Sequence, residues 1–276
     1  MRINRDELAS NAVDTVKTSN RGSFLKGGEK VTLPKYGVFV LRESNKDLGC
    51  VSGKCFRTDI VFEQLSTVNA IIKYGRLSDR RCFVLNFADY KEIGGQFLEG
   101  GYAQEESLCA VSNLYASQYQ AKWLYDEHAL RGNSFNGLYS DDAILSTSIS
   151  VFKNDDCDYI YPITCDILTT AAPRAKSVKR SSSTDLSSKL FPTLAKRCNR
   201  ILEIALANES ETLILGAFGC GEFGNDIDSL IAIWRRLLAN EYRGRFKTVV
   251  FALTNENFLS KFKESFKMDT YHYLSL

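Results

Sequence analysis

The stretch IGGQFLEGGYAQEESLC, Ile93 to Cys109, sets two adjacent acids, Glu105 and Glu106, at the start of an amphipathic helical pattern and directly behind a glycine-rich loop. Neighbouring side chains on a helix point about 100° apart, so the two carboxylates do not form one facing pair. With only two histidines in the chain, His128 and His272, carboxylates are the expected acid-base groups. Taken alone, Gln104-Glu105-Glu106 is ordinary helix-start chemistry, because the helix dipole favours acids in a first turn by about 0.3–1 kcal/mol.

A second glycine loop, GAFGCGEFGND (216–226), lies between an apolar strand pattern and a helical one. Small residues there let backbone N–H groups approach a phosphate, and the following helix start adds partial positive charge. The plain alternative is a tight strand-to-helix turn with Asn225 or Asp226 as N-cap. Gly219, Gly221 and Gly224 satisfy GxGxxG, but a dinucleotide-binding unit needs an acid at the end of the next strand. KTVVFALTN ends instead in Thr254 and Asn255, with no further strands after it.

The elements that must position these loops follow from periodicity. NRDELASNAVDTVK has a helical repeat and precedes a glycine-rich turn; GVFVLR (37–42) and TDIVFEQL read as strands, and STVNAIIKYGRL as a helix. RCFVLNFA is a continuous apolar run suited to a strand buried on both faces. Gln104 to about Leu130 reads as one helical stretch, followed by strands AILSTSISVF and DYIYPITCDIL, and then a basic, serine-rich loop TTAAPRAKSVKRSSSTDLSSK. Helix, strand, helix, strand and helix close the chain. Strands alternating with helices predict an α/β sheet covered on both faces.

Composition fits a globular protein: 44% hydrophobic, 25% charged and four prolines, with a net charge of +2 that selects no polyanionic partner. The charged N-terminus lacks a signal-peptide core, and no window approaches the ~18 apolar residues of a membrane span. The expected setting is intracellular and cytoplasmic, with the nucleus left open. Eight scattered cysteines without CxxC point to reduced, buried thiols rather than a zinc site; Cys82 and Cys165 lie in apolar runs.

In combination the motifs resemble a known family, the bacterial-type poly(ADP-ribose) glycohydrolases, whose signature is a triple glycine, a short spacer and QEE. LNFADYKEIGGQFLEGGYAQEESL matches it as a block, and LYSDDAI, ITCDILTTAAPR, LILGAFGCGEFGND and VVFAL continue the likeness in order over most of the chain. The opening NRDELASNAVDTV is similar to the family's N-terminal helix. The resemblance implies an α/β macrodomain-like three-layer α/β/α fold with a mixed central sheet and an N-terminal helical extension. Residues 1–55 would be an accessory extension packed on a catalytic core of residues 56–276.

It also implies roles. Glu106 would be the catalytic acid and then base, and Glu105 its catalytic partner holding the substrate ribose. Asn86 would contact the terminal ribose, Gly94, Gly95 and Gln96 would wrap it, and Gln104 would adjoin it. Gly219, Cys220, Gly221, Glu222, Phe223, Gly224 and Asn225 would hold the diphosphate, with Phe223 against the ribose. The implied substrate is poly(ADP-ribose), with ADP-ribose released from chain ends. Single ADP-ribose units on protein or nucleic acid are the alternative substrate, and a non-catalytic ADP-ribose-binding macrodomain the alternative class. The chemistry requires no metal or cofactor, and a monomer with no membrane partner is expected.

Gln96 stands where the family has its third glycine. A side chain there has room to narrow the pocket, change the accepted linkage or add a hydrogen bond. Phe218 replaces a tryptophan found in many relatives, a packing change.

Overall fold

The computed structural model describes residues 4–44, 55–77, 81–131 and 136–270. Cys50 and His272 lie outside them. Helix α1 (Arg5–Arg21) starts at a capping box, Asn4 with Glu7, and ends on Gly22 in the left-handed region. The glycine-rich turn that follows is a small hairpin, β1 (Ser23–Lys26) and β2 (Glu29–Thr32), turning on Gly27 and Gly28.

The main sheet holds β3 (Gly37–Leu41), β4 (Asp59–Glu63), β5 (Cys82–Phe87), β6 (Ala143–Lys153), β7 (Tyr159–Thr170), β8 (Thr212–Leu215) and β9 (Thr248–Ala252), in the order β3-β6-β7-β5-β8-β9-β4. β7, β5, β8, β9 and β4 run parallel, whereas β6 and β3 are antiparallel to their neighbours, so the sheet is mixed. β3, from within the expected N-terminal extension, forms one edge of this sheet.

Alternation along the central strands builds the two cores. Phe83 and Leu85 of β5, Leu213 and Leu215 of β8, and Val249 and Phe251 of β9 face one apolar layer. Helices α7 (Thr184–Ala207) and α8 (Ile227–Ala239) cover that layer with Leu202, Trp234 and Leu237, and α9 (Glu256–Thr270) adds Phe262. Cys82, Val84, Ile214 and Val250 face the other layer, covered by α1, α2 (Thr67–Gly75) and α3 (Gln104–Val111). This is the three-layer α/β/α arrangement.

Two expectations are corrected. The helical stretch after Gln104 is three helices, α3, α4 (Leu114–Gln120) and α5 (Lys122–Arg131). Ser112 leaves the helix in extended conformation and bridges Val151, while Asn113 exchanges hydrogen bonds with Ser150. Pairing with β6 outcompetes helix continuation there. The basic serine-rich segment contains α6 (Ala175–Arg180) and the first turns of α7, capped by Ser183. Its serines act as caps and as surface of a helix whose apolar side is buried.

The N-terminal helix touches both parts of the QEE motif region. Arg5 Nε donates to the Glu99 carbonyl at 2.7 Å, and Asn11 and Thr15 both donate to the Ala110 carbonyl at the end of α3. Among the described residues no helix is long and apolar enough to cross a membrane.

Candidate active site

β5 is the middle strand of the seven, and its C-terminal end delivers Asn86 and Phe87 to the crevice where parallel strands terminate. Gln104 clamps this end: its Oε1 accepts from the Phe87 N–H at 2.8 Å and its Nε2 donates to the Leu85 carbonyl at 2.8 Å. The amide of Gln104 is thus spent on fixing α3 to β5, although the residue also borders the main cleft.

Glu105 is 2% exposed, and its carboxylate accepts three N–H bonds. Asn86 Nδ2 and Gln118 Nε2 reach Oε1 at 2.8 and 2.9 Å, and the Asp89 backbone reaches Oε2 at 2.7 Å. Burial pushes this carboxyl up to about 8 against the pull of those three donors. Asn86 is fully buried, and its Oδ1 has no partner within the protein.

Glu106 lies beneath the glycine loop, where its Oε1 accepts the Gln96 N–H at 3.1 Å. Gly94 and Gly95 both have positive φ, +68° and +56°, and a Cβ on Gly95 would overlap Glu106 Oε1. A Cβ on Gly94 would stand 2.9 Å from the Tyr115 ring. These two glycines therefore have no substitute. Gln96, by contrast, is exposed at φ −96°, where any residue fits, so the departure from a third glycine carries no backbone strain.

The loop after β8 is held from inside by Asn225, whose Nδ2 donates to the carbonyls of Pro173 and Gly219 at 2.7 and 2.9 Å. Asp226, not Asn225, caps α8 through Ser229. Among the described residues nothing accepts from the backbone N–H groups of Gly219, Gly221, Glu222 or Phe223. They form an unpaired donor array ahead of a helix N-terminus. Gly219 needs its positive φ of +73° and its lack of a side chain, since a Cβ would overlap Ala172; Gly221 faces open space. Gly224, also at positive φ, packs on Lys176. Cys220 turns inward with a thiol pushed up to about 12 by burial, and its N–H is spent on the Ala217 carbonyl at 3.0 Å, so, against expectation, it offers the loop no free donor. Glu222 is exposed and paired with Arg174 and Lys176. Phe223 stands edge-on to Tyr139 at 6.0 Å, with the Arg174 guanidinium 5.7 Å from its ring.

Between the loop after β8 and the N-terminal ends of α2 and α3 runs a cleft of about 460 Å³. Phe87, Phe218, Leu253 and Phe258 give it apolar walls, and Gly219, Gly221 and Phe223 close one side. It reaches Gln104 and Ser107 on α3, while Glu105 and Glu106 lie just past its end, under the Gly94–Gln96 loop. The sequence reading missed Thr67, Tyr102, Asn255 and Phe258 of this lining, as well as Gln118. Gln118 left one faint trace, an amide on the same α4 face as buried Leu114.

Comparison with known proteins gives this geometry a context. A family model described as microbial-type PARG, catalytic domain, matches residues 12–154. The chain belongs to the microbial-type poly(ADP-ribose) glycohydrolase family. Poly(ADP-ribose) glycohydrolase from Thermomonospora curvata, bound to the inhibitor ADP-HPD, superposes with a TM-score of 0.84 at 27% identity, over 95% of this chain and 100% of that one. The Deinococcus radiodurans enzyme in complex with ADP-ribose gives 0.73 at 31% identity, over 83% and 93%. A search of the curated proteins finds no match. The family is one of glycosidases, and the matched segment carries Asn86, the glycine loop and both glutamates. The loop after β8 lies beyond it, so its reading stands on its own donors.

Proposed function

We propose that this chain hydrolyses the ribose–ribose glycosidic bonds of poly(ADP-ribose), releasing ADP-ribose from chain ends. The observation that carries the reading is the seating of Glu106 against Gly95 and the Gln96 N–H, beside a buried Glu105–Asn86 pair whose Asn86 Oδ1 has no protein partner. A ribose hydroxyl is the donor that this oxygen lacks.

Glycosidic cleavage passes through an oxocarbenium-like state, in which a proton must reach the departing oxygen before water attacks the anomeric carbon. Glu106 donates that proton, and the resulting carboxylate then takes one from the attacking water. Gln96 N–H steadies the carboxyl through both steps. Asn86 and Glu105 hold the terminal ribose, with Gly94 and Gly95 wrapped closely over it.

The free N–H groups of Gly219, Gly221, Glu222 and Phe223 receive the diphosphate, and Phe223 packs on the ribose. The apolar cleft lined by Phe218 and Phe258 takes the adenosine end. This reading calls on no second copy of the chain, and a monomer is the state proposed.

The test is incubation with poly(ADP-ribose) and, separately, with singly modified protein and DNA, following free ADP-ribose. Release from polymer is expected. Release confined to single adducts, or binding without release, would overturn the polymer assignment in favour of an adduct hydrolase or a reader.

A further inference from the structure

Behind the two glutamates lies a closed ring of polar side chains that no sequence motif marks. Asn86 Nδ2 donates to Glu105 Oε1 at 2.8 Å and to Thr169 Oγ1 at 3.2 Å. Gln118 Nε2 donates to the same two atoms, at 2.9 and 3.3 Å. Each carboxamide has two N–H hydrogens, and each spends them on the same pair of acceptors. The four residues come from β5, α3, α4 and β7, and none is more than 3% exposed.

The ring decides which way Asn86 faces. Glu105 Oε1 already accepts from Gln118, so this atom is an acceptor whether or not the carboxyl carries a proton, and the Asn86 amide set against it must present its nitrogen. Asn86 Oδ1 is thereby turned out of the ring, and it is the atom left without a partner. The far end of Gln118 is anchored as well, since its Oε1 accepts from Cys109 Sγ at 3.7 Å. Among the described residues Gln118 supplies one of the three hydrogen bonds made to the Glu105 carboxyl, and Thr169 gives the two amides a shared second acceptor.

We propose that Gln118 and Thr169 are positioning residues for the hydrolase reaction, locking Asn86 with its carbonyl oxygen toward the ribose and fixing the Glu105 carboxyl beside it. This rests on the polymer-hydrolysis reading given above. Neither residue touches the reacting atoms; both act through Asn86 and Glu105. The titratable groups that face Glu105 are Asp89 from the loop after β5, Glu106 and Cys109 from its own helix, and Tyr125 from α5.

Two near-isosteric variants test the ring, Thr169→Val and Gln118→Met, with Thr169→Ser as the conservative control. Rates on poly(ADP-ribose) from pH 5 to 9, ADP-ribose affinity by calorimetry and thermal melts are measured for each. Thr169→Val is expected to lower kcat by about tenfold or more, the order of a misplaced catalytic group, while Thr169→Ser restores most of it. In Gln118→Met the carboxyl loses an N–H donor, which disfavours its ionised form and raises its pKa. The Glu105-dependent limb of the pH–rate profile therefore moves to higher pH, whether the reaction uses the ion or the acid. Lower melting temperatures with wild-type kcat and an unmoved profile would reduce the ring to scaffold and overturn the proposal. If wild-type protein releases nothing from polymer, the functional reading fails instead. The ring is then judged by ADP-ribose affinity: loss in Thr169→Val with recovery in Thr169→Ser supports it, and equal affinity in all three overturns it.

Discussion

Gln96 donates its backbone N–H to Glu106 Oε1 at 3.1 Å from a φ of −96°, while its neighbour Gly95 holds φ +56° with its Cα turned onto the same carboxylate. Adjacent positions in one loop thus answer to opposite rules. Gly95→Ala forces a methyl group into Glu106 and is expected to cost about 100-fold in kcat, the scale of a misplacement near 1 Å. Gln96→Gly keeps the N–H and the conformation; its expected effect is a loss of stability of about 0.5–1 kcal/mol from added chain entropy, with catalysis largely retained. Steady-state kinetics and denaturant melts of the pair separate the two.

In the loop after β8, proposed to hold the diphosphate, the discriminating position is Gly221, where a Cβ meets nothing within 4 Å in the free protein and φ lies outside the left-handed region. Gly221→Ala is expected to leave the melting temperature unchanged yet weaken ADP-ribose binding, because the methyl intrudes only on what the N–H array holds. Gly219→Ala, which overlaps Ala172, is expected to lower both. Calorimetry beside thermal melts reads the difference; unchanged affinity in Gly221→Ala would remove the loop from the binding site.

Burial that pushes Glu105 up to about 8 has a consequence for stability. An unfolded glutamate titrates near about 4.3, so between that pH and about 8 the folded protein binds more protons than the unfolded chain. Stability from this group is therefore highest in acid and is lost as pH rises through that window. The unfolding free energy of wild type relative to Glu105→Gln is expected to fall from about pH 5 to about pH 8 in urea titrations of ligand-free protein. A flat difference would mean that the three N–H donors outweigh burial.

The N-terminal helix is bound to the core by a buried cation. Lys153, 1% exposed, donates to Asn11, Asp14 and Thr15, while Asp14 is half exposed at 52%. Asp14→Ala leaves the buried ammonium with neutral acceptors but no counter-charge and is expected to cost roughly 3 kcal/mol. Lys153→Met, which removes the buried charge and leaves a solvated acid, should cost much less. Equal costs in denaturant melts would contradict this asymmetry.

Much of the architecture was legible because β5, β8 and β9 are apolar on both faces and the helices between them carry clear periodicity. The break at Ser112 was not, because Leu108, Val111 and Leu114 keep a helical spacing across it, and the bridge to Val151 belongs to a partner 39 residues away. The segment around Ser183 reads as a loop by composition; only packing shows that its serines cap helices. Asn86, the glycine loop and the glutamates were legible as a block only through their resemblance to the glycohydrolase signature; the positive φ of Gly94 and Gly95 and the burial of Glu105 belong to the fold. Gln118 and Thr169 reach the site from a helix and a strand whose sequences are unremarkable, so their convergence exists only in the fold.

The central claim is that Glu106 carries the proton for glycosidic cleavage. Single-turnover release of ADP-ribose from poly(ADP-ribose) by wild type and Glu106→Gln, with ADP-ribose affinity measured on both, tests it most directly. The rate is expected to fall by about 10²–10⁴-fold, the range of general acid–base catalysis, with affinity little changed. Release by Glu106→Gln at the wild-type rate would contradict it.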